Sequence, residues 1–109
     1  MATTYKVLGQ LNPAATSLTT LYTVPASTST VASTLMICNQ AGTNATFRVA
    51  VRPAGASISA LHYLSYDTVV PANDSIALTL GMTLATTDVV SVYASTSTLS
   101  FNLFGSEIT

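Results

Sequence analysis

The sequence predicts an all-β fold, a single antiparallel β-sandwich of about eight strands, of jelly-roll or immunoglobulin-like type. Three observations predict it. Thr, Val, Ser and Tyr are abundant, and apolar residues alternate with polar ones at period two through most of the chain. Turn-forming clusters of Pro, Gly, Asn and Asp separate the alternating runs. Each run has one apolar face and one face of small polar residues, as a two-layer sandwich requires.

The strands are expected near residues 4–9, 18–24, 30–38, 45–52, 61–69, 74–80, 88–94 and 98–105. In FRVAVR, Phe47, Val49 and Val51 point one way, and Arg48, Ala50 and Arg52 the other. In SIALTL, Ile76, Leu78 and Leu80 alternate with Ser75, Ala77 and Thr79. In TLSFNLF, Leu99, Phe101 and Leu103 alternate with Ser100 and Asn102. The turns are Pro25-Ala-Ser, Asn39 to Asn44, Pro53-Ala-Gly55, Pro71 to Asp74 and Thr86-Thr-Asp88. Proline cannot donate to a ladder, and Asn, Asp and Gly tolerate turn geometry. The one stretch with helical character is GASISALHY, one or two turns at most. No repeat of 20 to 50 residues marks a solenoid. The segment 1–12, ending at Asn12-Pro13, precedes the first clear hairpin. It reads equally as an N-terminal arm reaching a neighbour and as an ordinary edge strand.

The chain of 109 residues suits one domain spanning 1–109, large enough to bury a core without metals or disulfides. Its one cysteine, Cys38, excludes an internal disulfide and is expected to pack in the apolar run LMIC. Hydrophobic residues make up 49%, with a mean hydropathy of +0.51. No apolar stretch approaches the ~20 residues of a spanning helix, and the opening MATTYKVLGQ lacks the apolar core of a signal peptide. The sequons at Asn44 and Asn73 are therefore read as chance matches in turns.

Only 6% of residues are charged, and the formal net charge is -1. Such near-neutral surfaces tend to associate, which points to life inside an assembly. There is no basic patch for nucleic acid. The single histidine, His62, reads as a packed, hydrogen-bonded ring beside a tyrosine rather than a catalytic base, and no G-x-S-x-G elbow accompanies it. Asp74 and Asp88 each precede a strand, where a carboxylate caps a turn. No D-x-D-x-D run offers a calcium loop, and one His with one Cys cannot complete a zinc site. No glycine-rich phosphate loop is present. No catalytic set, cofactor or metal is expected. Tyr22, Tyr63, Tyr66 and Tyr93 could form a sugar platform, but tyrosine is also ordinary in sheets. Thr28-Ser-Thr30 and Thr96-Ser-Thr98 do not recur at the spacing of an ice-binding array.

Arg48 and Arg52 share a strand face about 13 Å apart. Three readings stand: solubilising an outer face, reaching acidic groups of another subunit, or pairing across strands with Asp67. The scarcity of other charges favours the second.

The stretches LYTVPASTSTVASTLMICNQAGTNATFRVAV, RPAGASISALHYLSYDTVVPANDSIALTLGMTLATTDVVSVYAS and STLSFNLFGSEI, taken in order, resemble small bacteriophage virion proteins. The opening ATTYKVLGQ is similar to such proteins in phages of cyanobacteria. The resemblance covers nearly the whole chain. It implies a non-enzymatic β-sandwich component of the particle, assembled in the host cytoplasm. It implies a decoration or cement protein over capsomer junctions, commonly trimeric, contacting the major capsid protein or other virion proteins. A neck, tail or baseplate component is the alternative, and a carbohydrate-binding module or a hydrolase dependent on His62 are the competing classes. On this reading no nucleic acid or membrane is bound, and Tyr5, Lys6, Gln10, Arg48 and Arg52 are expected at the interface.

Overall fold

The computed structural model describes residues 2–109. Eight strands form two antiparallel sheets of four: β1 (Thr3–Leu11), β8 (Leu99–Ile108), β3 (Ser29–Asn39) and β6 (Ser75–Leu84) in that order, and β2 (Thr19–Thr23), β7 (Val89–Ala94), β4 (Ala45–Arg52) and β5 (Tyr63–Val70) in that order. Every connection except β4 to β5 passes from one sheet to the other. This is the strand order of a jelly roll, which resolves the choice left open by the sequence.

The core lies between the layers. Alternation delivers Leu35 and Ile37 from β3, Phe47 and Val49 from β4, Val90 and Val92 from β7, and Leu99, Phe101 and Leu103 from β8, all fully buried. Phe47 and Phe101 meet edge to face across the layers, with ring centroids 6.3 Å apart. Gly9 marks a close approach of the sheets at the β1–β2 corner. A Cβ there would stand 2.5 Å from the carbonyl oxygen of Leu21.

Residues 3–11 do not form a free arm. They pair with β8 from Thr3↔Ile108 to Leu11↔Phe101, with a bulge between Val7 and Gly9, and Leu8 enters the core. The edge-strand reading therefore replaces the arm, because both the backbone and Leu8 have partners inside the fold. Cys38 also departs from expectation. With Leu35 and Ile37 facing inward, alternation turns Met36 and Cys38 outward, and Cys38 is exposed. The helical stretch reduces to short 3-10 turns at Pro53–Gly55 and Ala60–His62. His62 thus lies in the turn that precedes β5 rather than within the strand expected near 61–69.

The connection between β4 and β5 folds over the outer face of the second sheet, its first turn against β7 and its second against β4. Ala50 and Ser91, neighbours on that face, are consequently buried. Ala50 breaks the in–out alternation of FRVAVR for this reason.

One end of the sandwich is organised by Asn39, which is 1% exposed. Its amide donates to the carbonyls of Thr43 (2.8 Å), Val70 (3.2 Å) and Pro71 (3.3 Å). Its carbonyl accepts from the Ala41 amide (3.0 Å) and the Thr98 hydroxyl (3.2 Å). One side chain thereby joins the β3–β4, β5–β6 and β7–β8 connections. Asn39→Ala should cost about 3 kcal/mol, since it leaves several buried groups without partners at once. Urea unfolding should show the loss as a lower midpoint at unchanged slope.

Candidate functional site

The charged residues were the first candidates, and the structure gives each of them an internal task. Arg48 projects from the outer face of β4, in register with Tyr93 of β7. Its guanidinium lies 4.0 Å from the ring centroid of Tyr66 and 4.1 Å from that of Tyr93. Its Nε donates to Asp67 Oδ1 at 2.7 Å, and Nη2 faces Oδ2 at 3.4 Å. Asp67 reaches it because β5 is bulged there, with Asp67 at φ 53°. This is the cross-strand pair, the third reading of the arginines. The hydrogen bond it donates to Asp67 holds the Arg48 guanidinium above even its ordinary high pKa.

Arg52 turns back onto its own loop. Nε donates to Ser91 Oγ (3.2 Å), and Nη1 to the carbonyls of Gly55 (3.3 Å) and Ala56 (3.1 Å). Asp88 joins two turns, accepting from the amides of Ala54 and Ala85, each at 2.9 Å. Asp74 accepts from the Ser75 amide at 2.7 Å. His62 is buried, and its Nδ1 accepts from the Ser59 amide at 3.1 Å, closing a small capping box.

The remaining charges sit at the rim of the sandwich. Lys6 Nζ donates to Glu107 Oε1 at 2.9 Å. Tyr22, reaching up from the core, donates to Glu107 Oε2 at 2.5 Å and accepts from the Thr30 hydroxyl at 2.8 Å. The Tyr22 bond, aided by Lys6, lowers the Glu107 pKa below the usual carboxylate range. Burial, aided by the Glu107 carboxylate, pushes Tyr22 up to about 12.

With the charges occupied, the outer face of the first sheet stands out. Register and alternation place Tyr5, Val7 and Gln10 of β1 on it. Ser100, Asn102, Phe104 and Ser106 of β8 follow, then Val31, Thr34, Met36 and Cys38 of β3, then Ala77 and Thr79 of β6. Among the described residues, register and alternation turn no acidic or basic side chain onto this face, although Lys6, which points to the rim and Glu107, borders its depression. Tyr5 is 84% exposed, Val7 is exposed, and they border a shallow depression of about 670 Å³ lined also by Val31 and Phe104. Gln10 and Asn102 form a side-chain bond at 2.7 Å across the β1–β8 ladder. Gly105 keeps this part of β8 close to β3, because a Cβ would collide with the Val31 carbonyl oxygen.

A second depression, of about 650 Å³, is lined by Ile58, Ser59, Ala60, Tyr63 and Tyr66. One face of Tyr66 is covered by Arg48, and Tyr63 meets Tyr66 perpendicularly at 4.9 Å. Among the described residues, no three His, Cys, Asp or Glu side chains come together.

Of the residues expected at an interface, Tyr5, Lys6 and Gln10 lie on β1 in one sheet, and Arg48 and Arg52 on β4 in the other. They do not form one surface. Only Tyr5 is both exposed and without a side-chain hydrogen bond among the described residues. The neutral face escaped the sequence reading because it is contributed by four strands whose order the sequence does not display. No family model, curated protein or solved structure matches the chain.

The Glu107 cluster predicts a two-sided pH profile. Glu107 has a lowered pKa, so its contribution to stability is complete above the ordinary carboxylate range and is lost as pH falls through the folded value. Tyr22 has a raised pKa, so its contribution is complete below 10 and is lost as pH rises toward about 12. Thermal melts across pH should show both declines. Tyr22→Phe should remove the part of the alkaline decline due to Tyr22 and cost about 1–2 kcal/mol at neutral pH, and Glu107→Gln should flatten the acid side.

Proposed function

We propose that the chain is a non-enzymatic structural protein of a bacteriophage particle. In this reading it is a decoration protein that seats over junctions between capsomers of the head and holds neighbouring capsid subunits together. The observation that carries the proposal is the uncharged outer face of the first sheet, in a chain whose ionised side chains are engaged by its own fold. A face that sheds water without desolvating charge suits permanent burial against another protein. Four strands and about nine residues of strand length give it roughly 600 Å². That is most of the ~800 Å² per partner of a standard stable contact, and flanking loops can supply the remainder. The ordered resemblance to phage virion proteins supports the same reading, and jelly rolls recur in viral capsid domains. The engagement of Tyr66 and Tyr93 by Arg48 weighs against a sugar platform, because each ring has a face already covered.

Quantitative mass spectrometry of purified particles tests the reading. Hundreds of copies, in simple ratio to the major capsid protein, are expected for a decoration protein. A few to a few dozen would move the chain to the neck, tail or baseplate, and absence would overturn the structural role. Binding to heads should also be nearly independent of added salt, since no exposed ion pair is at stake. Tyr5→Asp should weaken that binding at least tenfold without altering the fold.

A further inference from the structure

The jelly roll has four sheet edges, at β1, β6, β2 and β5. An edge strand presents unpaired backbone donors and acceptors, and proteins that stay monomeric blunt it with charge, proline, bulges or brevity. Three of the four edges are blunted. β1 carries Lys6 and a bulge between Val7 and Gly9. β5 carries Asp67, at positive φ in a bulged stretch. β2 has five residues and is itself bulged between Thr20 and Tyr22.

β6 has none of these devices over Ser75–Thr79. SIALTL contains no charge and no proline, and it pairs without interruption with β3 from Thr79↔Thr34 to Ser75↔Cys38. The irregularity of this strand begins directly after Thr79, at Leu80 and Gly81, with Gly81 at φ 59°. On the inner side Ile76, Leu78 and Leu80 are only partly buried and pack against the rim of the core. On the outer side Ser75, Ala77 and Thr79 are small and exposed. A strand joining this edge would gain backbone hydrogen bonds and cover three half-buried apolar side chains.

We propose that β6 is a joint between two copies of this chain, residues 76–80 of one pairing antiparallel with the same residues of the other. The two-fold axis passes at Leu78. The strand is complementary to itself in this register. Leu78 lies opposite Leu78 of the copy, Ile76 opposite Leu80, and Ala77 opposite Thr79, so apolar meets apolar inside and small meets small outside. The two copies' Asp74 lie on opposite sides of the axis, which keeps their carboxylates roughly 26 Å apart along the ladder. An isologous contact of this kind closes on itself and leaves no β6 edge for a third copy. It joins two first sheets into one eight-stranded sheet, doubling the uncharged face. The inference goes beyond the particle reading and does not require it.

The test is the solution mass of the purified full chain, by light scattering and sedimentation over a concentration series, with three variants. The wild type should approach twice 11.2 kDa. A77K/T79K places lysines opposite lysines at exposed positions on both sides of the axis, and should halve the mass while keeping the strand spectrum by circular dichroism. A77K/T79E places each lysine opposite a glutamate of the copy and should restore the double mass. Tyr5→Asp, on the far edge, should leave the mass at that of the wild type. A wild type of one or three chain masses overturns the proposal. So does an A77K/T79K variant that keeps the double mass, and an A77K/T79E variant that stays single overturns the register. The result is separable from the particle assay: a two-fold chain that is absent from particles would overturn the virion role alone.

Discussion

The jelly roll depends at one end on the buried amide of Asn39. Strands that alternate between sheets must be joined by connections that bridge the gap between the layers, and those connections carry backbone groups past the edge of the core. Asn39 sits on the last position of β3, where three connections converge, and its side chain both donates and accepts there. A hydroxyl could donate only once, and a carboxylate could only accept. The amide has two N–H groups and two lone pairs in a fixed plane. Backbone bonds extend the same arrangement: the Asn39 amide donates to Asp74, Gln40 to Thr98, and Asn73 to Ala41. The opposite end uses a different solution, the Tyr22–Thr30–Glu107–Lys6 cluster, which closes the gap with one carboxylate and a core tyrosine.

These two closures explain how so weakly charged a chain spends its charge. There are three basic and four acidic residues. Lys6 and Glu107 close a rim, Arg48 and Asp67 hold a bulge under two tyrosines, and Arg52 and Asp88 pin turns. Exposed ion pairs contribute little on their own. Their value here is positional, because each fixes a segment that the hydrophobic core does not reach. The consequence for the surface is that charge lies at rims, at turns and, through Arg48 and Asp67, on the second sheet, while the broad face of the first sheet is left to Thr, Ser, Asn and a few apolar side chains.

Much of this architecture was legible in the sequence. Period-two alternation located all eight strands within a few residues, and the FRVAVR strand at both ends, because apolar and small polar residues separate cleanly wherever one face is buried. The jelly-roll order was not legible. It is a property of pairings between segments far apart in sequence, and the turn residues look the same in either type of sandwich. Segment 1–12 was ambiguous for a related reason: Leu8 alone cannot announce that it enters the core, and Gly9 reads as a break until Leu21 is seen beside it. Cys38 was misread because an apolar run was taken as wholly buried, when alternation continued through it. At the candidate sites, the cross-strand pair of Arg48 with Asp67 was one of three readings open to the sequence and not the favoured one, since the scarcity of charge pointed to another subunit. The stacking on Tyr66 and Tyr93 depends on a bulge and on the β7 register, neither of which leaves a local signature.

The sparse charge and the open β6 edge are best understood together. An uncharged strand at a sheet edge and an uncharged sheet face beside it are two features that ordinarily promote association. They are adjacent, since β6 borders the face it helps to form. If the edge is filled by a second copy, the exposed backbone disappears and the face becomes wider without gaining charge. The small side chains on the outer side of β6 then acquire a reason. Ala77 and Thr79 keep the seam between the copies flat, where larger residues would raise a ridge across the middle of the doubled face. A neutral, eight-stranded surface draws contact energy from shape and burial rather than from ion pairs. The same economy that leaves the chain with few charges therefore leaves it with a surface that gains most by being covered.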